Sequence, residues 1–425
     1  MSETGKPRGE WSTGWKVAVA AMAGFSLSAT FTFTFGAFIE PLEAEFGWSR
    51  GDIALGMSVI TIVGALLSPP IGMLVDRWGP RRLGVPGSLL FAVGFGTLGL
   101  TTGNIWVWWG QWLMLAFAFI CIKPLIWSTA VASTFDKQRG LAFAVAMCGN
   151  GIASTFTPSL ATWAIAEHGW RLAFSIVGGT VGLIAFPILF FFLHSGADRA
   201  LAKSKKPVDQ GDDAAPKPAL YGLTTREAMR TAAFYKIGLA AFLFTVAAIG
   251  IVPNMIPILS SFEISRGEAA AIAGVAGMSS IIGRLVTGVL LDRFNPNLIA
   301  GTVVLLPVIS CLLLLGSPGS VPIAMLAAVV IGAALGSEVD VIAFLTAKQF
   351  GTLCYGTIFG VMSGLWAVAT AIGPFLVNRS YDITGSYVTA IEVTIPLFFI
   401  TSLLLFSLGK PRDFGQAEPT AEAGG

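Results

Sequence analysis

Four charged residues lie inside long apolar stretches of this chain, and their types suit ion chemistry. They are Lys123, Arg284, Glu338 and Asp340. An ionised side chain inside a membrane helix costs at least about 2.5 to 3.5 kcal/mol, so it normally faces a cavity or a partner of opposite charge. Lys and Arg can bind an anion, and Glu and Asp can carry a proton. We therefore expect these four residues to mark the functional site.

The spacing of these residues places them at similar depths. Arg284 lies eight residues, or about 12 Å, before Asp292 at the end of its apolar run. Glu338 and Asp340 are two residues apart, so on a helix they point about 200° away from each other. One should face a cavity, and we favour Glu338, while the other meets a neighbouring helix. Arg284 is predicted to bind substrate, with a structural ion pair to an acidic residue as the alternative.

Aromatic and polar residues at comparable depths are candidates for the rest of the wall. A carboxylate site needs hydrogen-bond donors beside an apolar surface, and Phe33, Trp127 and Asn254 offer both. Phe31, Asn150 and Trp366 are further candidates. For each of these residues taken alone, packing against lipid or neighbouring helices is the competing interpretation.

The elements that position these residues are predicted to be twelve membrane helices. The chain has 425 residues, 54% of them apolar and only 12% charged, with a mean hydropathy of +0.76, a composition typical of a membrane protein. Runs of about 20 apolar residues are long enough to cross a bilayer. The predicted spans are 15–39, 52–75, 83–103, 105–133, 140–166, 171–194, 232–261, 268–291, 297–316, 321–347, 356–378 and 387–408.

The two halves of the sequence repeat at an offset of 216 residues. Gly72, Asp76 and Arg77 recur as Gly288, Asp292 and Arg293, and the same offset relates Gly140 to Gly356, Pro158 to Pro374, and Gly169 to Gly385. Repeats of this length indicate a duplicated structural unit, an arrangement found in many secondary transporters. The offset also carries Lys123 onto position 339, between Glu338 and Asp340, so opposite charges occupy equivalent places in the two halves.

The loops predict orientation and domain boundaries. Most Lys and Arg residues fall on the side that carries both termini, and only Arg50, Arg171, Arg266 and Arg379 fall on the other, which predicts cytoplasmic termini. We expect a bundle at 1–194, a flexible linker at 195–230, a second bundle at 231–410 and a tail at 411–425. Thr224 and Thr225 are placed to cap a short helix before the seventh span.

Several classes of protein are not supported by the sequence. Cys121, Cys148, Cys311 and Cys354 show no C-x-x-C spacing, so neither a metal site nor a disulfide framework is indicated. No stretch suits a soluble catalytic domain, and no cofactor is expected. The net charge of +2 gives no support to nucleic-acid binding.

Two motifs resemble those of a known family. The segment GMLVDRWGPRR, which contains Gly72, Asp76, Arg77 and Arg81, resembles the signature between helices two and three of the major facilitator superfamily. The segment TFDKQRGLAFAVAMCG resembles the fifth-helix motif of monocarboxylate transporters and their bacterial relatives. The resemblance implies an all-α membrane fold of two pseudo-symmetric six-helix bundles, in which helices one, four, seven and ten line a central cavity. Lys123 and the acidic pair should then face one chamber.

The chain also departs from this family. Animal monocarboxylate transporters carry a lysine in helix one, where this sequence offers only Phe33, and an aspartate four residues before the arginine that corresponds to Arg284, where it has Ser280. The resemblance therefore supports substrate binding by Arg284 but not the family's proton relay. We expect Glu338 or Asp340 to carry the proton instead, with Lys123 assisting substrate binding or pairing with Glu338.

The signature loops are expected to act as a gate. Gly72 and Gly288 allow close helix contact, and Asp76 and Asp292 can face helix N-termini or basic side chains. Arg77, Arg81 and Arg293 can pair with acidic groups across the interface between the halves. Such contacts would hold one conformation and break in the other; simple topology anchoring is the alternative.

These observations predict a secondary active transporter of small organic anions, monocarboxylate-like and proton-coupled, that works by alternating access. The alternatives are an anion exchanger of the oxalate and formate type and, less favoured, a membrane sensor on a transporter scaffold. The predicted partners are the anion, protons and the lipid bilayer. We expect a monomer in the bacterial inner membrane.

Overall fold

The computed structural model describes residues 10–204, 221–410 and 414, and almost all of them are helical. Within these described ranges, ten helices are long and apolar enough to cross a membrane, and a bent pair adds an eleventh span. The longest helix, Arg139–Phe192, has 54 residues and contains two spans, because Gly169 adopts φ 76° and ψ 158° and breaks it. The predicted twelve spans are therefore present.

The spans agree with the predicted ranges to within a few residues in most cases, although the first is longer than expected. In chain order the helices are α1 (Trp11–Phe46), α2 (Arg50–Leu66), α3 (Ser68–Trp78), α4 (Pro80–Thr97), α5 (Ile105–Ile120), α6 (Pro124–Ala132), α7 (Arg139–Phe192), α8 (Gly196–Ser204), α9 (Thr225–Ala228), α10 (Ala232–Ile251), α11 (Met255–Ser261), α12 (Arg266–Arg293), α13 (Pro296–Gly316), α14 (Val321–Phe350), α15 (Tyr355–Thr384) and α16 (Val388–Phe406).

Three spans are interrupted near the middle of the molecule. Pro69 and Pro70 lack an N–H, so the second span bends by 58° between α2 and α3. The fourth span unwinds between α5 and α6 just before Pro124. The seventh passes through a short 3₁₀ turn, Val252–Asn254, between α10 and α11. Backbone carbonyls and amides released by such breaks are free to bind side chains or ligands.

Close contacts between small residues hold the bundles together. A Cβ on Gly149 of α7 would lie 2.0 Å from the Met22 carbonyl oxygen of α1, and one on Gly336 of α14 would lie 2.0 Å from the Ser280 carbonyl oxygen of α12. Side chains at these positions would force the helices apart. Van der Waals contact of this kind is the main attraction between helices in lipid. Lipid tails are as apolar as the helix surfaces, so the hydrophobic effect does not bring the helices together.

Both ends of the described chain lie on one side of the molecule, which we call the terminal face. Glu10 accepts hydrogen bonds from the backbone N–H groups of residues 136–138, and Gln349 donates one to the Gly409 carbonyl. The described parts of the segment between the halves, 195–204 and 221–230, are also on this face. Its first part, predicted to be flexible, includes the helix α8, and Thr224 caps α9 as expected. Residues 205–220, and the predicted tail except Phe414, lie outside the described residues.

Residue Tyr221 connects the two halves on this face. Its hydroxyl donates to Asp136 at 3.0 Å and accepts from Arg139 at 3.3 Å, both in the N-terminal half. Its backbone carbonyl accepts the N–H groups of Thr352 and Leu353, in the loop between α14 and α15. Tyr221 therefore joins both bundles.

Candidate functional site

A cavity of about 400 Å³ lies at the centre of the molecule, between the two halves. Its wall is mostly aromatic and aliphatic, with few polar groups, as is usual for a small-molecule site of this size. Phe33 and Met57 lie in the parts of α1 and α2 remote from the terminal face, so the cavity extends in that direction. The wall is built by α1, α2, the α5–α6 junction, α7, α10, α14 and α15.

Lys123 is a cation in this wall. The sequence suggested that Lys123 lies within a helix, but the structure places it in the extended break before α6, with φ −56° and ψ 150°. Its ammonium group donates to the Gly64 carbonyl oxygen at 2.6 Å and to the Ser68 hydroxyl, both at the bend of the second span. The side chain is 7% exposed, and within the described residues no carboxylate lies within 4.0 Å of it.

Glu338 faces the same cavity from α14, in agreement with the expected orientation. The side chain is 3% exposed, and its carboxyl is hydrogen-bonded to the Thr245 hydroxyl of α10. The Trp366 indole lies nearby, although its N–H forms no hydrogen bond of normal geometry among the described residues. The expected Lys123–Glu338 ion pair is absent in this conformation, because Lys123 is held by the second span instead.

Arg284 and Asp340 form an ion pair between α12 and α14. The guanidinium Nη1 lies 2.9 Å from Oδ1 of Asp340, whose side chain is 1% exposed. Neither residue belongs to the wall of the central cavity. The structure thus shows the ion pair that the sequence left as the alternative for Arg284. The other carboxyl oxygen of Asp340 has no hydrogen-bond partner among the described residues.

The other predicted wall residues have different positions. Phe33 lines the cavity. Trp127 does not: it is fully buried, packs against Gly24 and Gly84, and donates to Ser28 and to the Ile122 carbonyl. It is a packing residue at the break of the fourth span. Asn254 also lies outside the cavity and donates to the Gly250 carbonyl one turn earlier.

Sequence reasoning missed the residues that hold the two cavity charges. Ser68 and the Gly64 carbonyl bind Lys123, and Thr245 binds Glu338. The Pro69–Pro70 pair was the available signal for the first of these contacts, since consecutive prolines predict a helix bend with freed carbonyls. No feature of the sequence distinguishes Thr245 from other hydroxyl residues in apolar helices.

The terminal face is closed by two reciprocal contacts between the halves. Asp76, at the end of the second span, accepts from the backbone N–H groups of Gly356 and Thr357 at 2.8 Å each and from the Thr357 hydroxyl at 2.6 Å. Asp292, its counterpart in the repeat, accepts from the N–H groups of Gly140 and Leu141 at 2.7 and 2.9 Å. Each carboxylate therefore caps the first turn of a helix in the opposite half, where the helix dipole favours negative charge.

Glycine pairs make these caps possible. A Cβ on Gly72 would lie 2.2 Å from the Gly356 carbonyl oxygen, and one on Gly140 would lie 2.3 Å from the Gly288 carbonyl oxygen. All four glycines belong to the sequence repeat. Each half thus supplies one aspartate-bearing helix end and one glycine-bearing helix start, and duplication makes the two contacts equivalent.

The three motif arginines do not form the expected contacts across the interface. Arg81 binds the Leu193 carbonyl at 3.2 Å and the His194 ring, and its backbone N–H donates to Asp198 of α8. These partners lie at the end of the N-terminal half or in the first residues of the linker, and none of them belongs to the C-terminal half. Burial raises the pKa of Asp198, although hydrogen bonds from Ser195 and the Arg81 amide oppose the shift. Arg77 and Arg293 are exposed, and no ion pair involves them within the described residues.

Comparisons with known proteins agree with this architecture. The chain is 22% identical over 427 residues to monocarboxylate transporter 12 of Mus musculus, covering 95% of this chain and 87% of that protein. It is 25% identical over 392 residues to the 3-(3-hydroxy-phenyl)propionate transporter of Escherichia coli (strain K12), covering 90% and 88%.

Solved structures show the same fold. The transporter FucP, in its outward conformation, has a TM-score of 0.65 at 16% identity, covering 91% of this chain and 97% of that one. The human organic anion transporter MFSD10 has a TM-score of 0.68 at 16% identity, covering 94% and 100%. The family model of the Major Facilitator Superfamily matches residues 20–374. The chain therefore belongs to the Major Facilitator Superfamily, as a multi-pass membrane transporter related to monocarboxylate transporters and not an enzyme.

Proposed function

We propose that this protein is a secondary active transporter that couples a small organic anion, monocarboxylate-like, to protons by alternating access. The observation that carries the proposal is Lys123, a buried cation that has no carboxylate partner among the residues that the structure describes and lies in the wall of a central, mostly apolar cavity. An ammonium group has three N–H donors. Two of them reach Gly64 and Ser68, which leaves the third, and the charge itself, for a ligand.

The unpaired charge favours an anion as that ligand. A cation in a low-dielectric wall is stabilised by an incoming carboxylate far more than by a neutral solute. The two hydrogen bonds from Lys123 also fix its position against the bent second span, so the site is preorganised. The relatives named as monocarboxylate and hydroxyphenylpropionate transporters support the same class of substrate.

We propose Glu338 as the proton-coupling residue. Thr245 Oγ1 lies 2.7 Å from the Ala241 carbonyl and is also in contact with the Glu338 carboxyl. A hydroxyl has one hydrogen to donate, so a protonated carboxyl that donates to Thr245 Oγ1 is the arrangement that gives each contact a full hydrogen bond of its own. Glu338 forms no ion pair with any described Lys or Arg, and a buried carboxyl in such surroundings is much more stable in its neutral form. We therefore propose that Glu338 carries the proton in this conformation.

Arg284 and Asp340 have a second proposed role. Their ion pair must open before Arg284 can bind a substrate carboxylate, and the released Asp340 would then need a proton. We assign this step to another stage of the cycle, because neither residue reaches the cavity here. Asp340 is accordingly the second candidate for coupling, and Asn254, Trp127 and Phe33 are supporting positions at most.

The contacts on the terminal face are the proposed gate. Asp76 and Asp292 hold that face shut while the cavity extends toward the other side, as in an outward-facing transporter. We propose residues 1–194 and 231–410 as the two moving units, and the terminal face as the cytoplasmic face of a bacterial inner membrane. Arg77, Arg81 and Arg293 are proposed to support the gate from the surface. The functional unit is proposed to be a monomer.

Transport in proteoliposomes tests this function. Purified protein should accumulate a labelled monocarboxylate when a pH gradient, acidic outside, is imposed, and should show counterflow without the gradient. Glu338→Gln should abolish accumulation but retain counterflow, because exchange does not require the empty carrier to lose its proton. Glu392→Gln removes an exposed carboxylate of α16 and should change neither.

Three other outcomes point elsewhere. If Glu338→Gln accumulates substrate normally and Asp340→Asn does not, the proton is carried by Asp340. If uptake by the wild type requires internal counter-substrate and ignores the pH gradient, the protein is an anion exchanger of the oxalate and formate type. If folded protein moves no mono-, di- or aromatic carboxylate in either assay, the transport proposal is wrong and a sensor on a transporter scaffold replaces it.

A further inference from the structure

We infer that Trp366 is a positioning residue for the proposed proton site: its indole N–H is the donor that stabilises Glu338 once the carboxyl has released its proton. This inference rests on the proposed function, in which Glu338 carries the coupling proton, and adds the group that assists proton release. It is carried by the position of the indole, by the one hydroxyl that contacts the carboxyl, and by the charges that surround α14.

The Trp366 indole N–H lies against the Glu338 carboxyl without forming a hydrogen bond of normal geometry. Trp366 reaches the cavity wall from α15, and Glu338 reaches it from α14. The indole nitrogen is inaccessible to solvent and has no hydrogen-bond partner among the described residues, and the acceptor within its reach is the Glu338 carboxyl. A buried donor without a partner is costly. The cost disappears when the carboxyl becomes charged, because a carboxylate is a much stronger acceptor than a neutral carboxyl.

The Thr245 hydroxyl suits the neutral carboxyl better than the charged one. Its Oγ1 lies 2.7 Å from the Ala241 carbonyl and contacts Glu338, so it can accept the carboxyl proton while its own hydrogen points to Ala241. After proton release the hydroxyl can rotate and donate to the carboxylate. A hydroxyl has a single hydrogen, whereas a buried carboxylate is well stabilised by about two or three donors. Thr245 alone therefore leaves the charge short of donors, and Trp366 supplies the second.

Among the described residues, no cation is placed to take this role. Lys123 shares the cavity wall, but the bent second span holds its ammonium group, and its charge is proposed to bind the substrate. Arg284 of α12 is paired with Asp340, which points away from Glu338 on α14. Other titratable groups of the helices packed against α14 face other partners: Cys148 of α7 lies beside Arg284 and Asp340, Asp292 of α12 caps α7, Cys311 of α13 contacts Thr394, Tyr355 of α15 contacts the Ala343 carbonyl, and Lys236 of α10 donates to the Ser407 carbonyl.

The substitution Trp366→Phe isolates the indole N–H. It keeps an aromatic ring in the cavity wall and removes the donor, so it should destabilise the charged state of Glu338 and leave the contact of the neutral carboxyl with Thr245 in place. A hydrogen bond to a charged group is worth a factor of about 10 to 150 in an equilibrium constant. Proton release from Glu338 should become less favourable by about this factor.

Infrared spectroscopy of the purified protein in lipid bilayers tests the inference without a substrate. The C=O stretching band of a protonated carboxyl disappears as the pH is raised, and the part of the band that is missing in Glu338→Gln belongs to Glu338. The titration is compared in the wild type, Trp366→Phe and Trp163→Phe. Trp163 is an exposed tryptophan of α7, so its variant is the matched control.

We expect the Glu338 band of Trp366→Phe to fall to half at a proton concentration at least about tenfold lower than in the wild type, and Trp163→Phe to resemble the wild type. The direction of the change separates a lost hydrogen bond from a packing effect. If the smaller ring only admitted water to the carboxyl, the charged state would gain stability and the half-point would move to a higher proton concentration.

The inference is overturned if the half-point in Trp366→Phe stays within twofold of the wild type, moves to a higher proton concentration, or moves equally in Trp163→Phe. In these cases the band still shows that Glu338 binds and releases a proton, so the proposed proton site stands. If Glu338→Gln removes no part of the band at any pH, Glu338 does not carry a proton, and the proposed coupling role fails together with the inference.

Discussion

The cap that Asp76 places on α15 gives the sharpest test of the proposed gate. Asp76→Asn keeps the size of the side chain and one carbonyl oxygen, which can still accept the Gly356 N–H. The new amide group, however, meets the Thr357 N–H, another donor. The Thr357 hydroxyl can rotate and accept from the amide, so one backbone N–H loses its partner and the charge at the helix N-terminus disappears.

The size of the effect follows from these contacts. An unpaired buried N–H costs about 1 to 3 kcal/mol, and a carboxylate at a helix N-terminus contributes about 0.3 to 1 kcal/mol, more when it is partly buried. We expect a loss of about 2 to 3 kcal/mol that applies only when the terminal face is closed. This loss shifts the equilibrium toward a terminal-side-open state by roughly 30- to 150-fold. An open population of about 1% would rise to about 20% or more.

Pulsed electron paramagnetic resonance measures this population. Spin labels at Lys137→Cys and Leu353→Cys, both exposed on the terminal face but in opposite halves, report the separation of the halves in protein without its four native cysteines. Asp76→Asn should add a longer distance to the distribution, and Asp292→Asn should do so as well. Asp52→Asn is the matched control, because Asp52 is hydrogen-bonded to Ser49 at the start of α2 within one half.

The reasoning is refuted if Asp76→Asn leaves the distance distribution unchanged while the protein remains folded. It is equally refuted if Asp52→Asn produces the same longer distance, since the effect would then come from general loss of stability. A change in Asp76→Asn without one in Asp292→Asn would show that the two contacts are not equivalent.

Three further predictions follow from the same contacts. Lys123→Met should weaken carboxylate binding by about 10- to 150-fold, the worth of a hydrogen bond to a charged group, and Lys123→Arg should retain more affinity. If Lys123→Met and the wild type reach half-saturation in counterflow at the same substrate concentration, Lys123 is not part of the site. Arg284→Gln should lower the free energy of unfolding by about 3 to 5 kcal/mol, because it leaves Asp340 buried and unpaired. Adding Asp340→Asn should restore much of the lost stability, as measured by thermal unfolding. If the losses of the two single variants simply add in the double variant, the two residues do not form a direct pair. Tyr221→Phe should remove the hydroxyl contacts with Asp136 and Arg139 and shift the same spin-label distances by less than Asp76→Asn, and no shift would mean that this residue does not hold the halves together.

The sequence by itself determined the number of spans, the duplication and the location of the buried charges. These conclusions depend on local properties: the length of apolar runs follows from bilayer thickness, and charges inside such runs are visible one residue at a time. The opposite orientations of Glu338 and Asp340 also follow from helix periodicity alone. The repeated Gly and Asp residues pointed to the terminal-face contacts, because only small residues and helix-capping carboxylates suit two helix ends in contact.

The tertiary structure decided which charges meet. Arg284 contacts Asp340 and Lys123 contacts the bent second span, because helix rotation and the unwound segment before Pro124 set the direction of each side chain. Depth along a helix, which a sequence shows, does not specify rotation about the helix axis or the partner across an interface. For the same reason Trp127 and Asn254 had suitable depths yet lie outside the cavity, and the role of Thr245 becomes visible only when α10 and α14 are packed together.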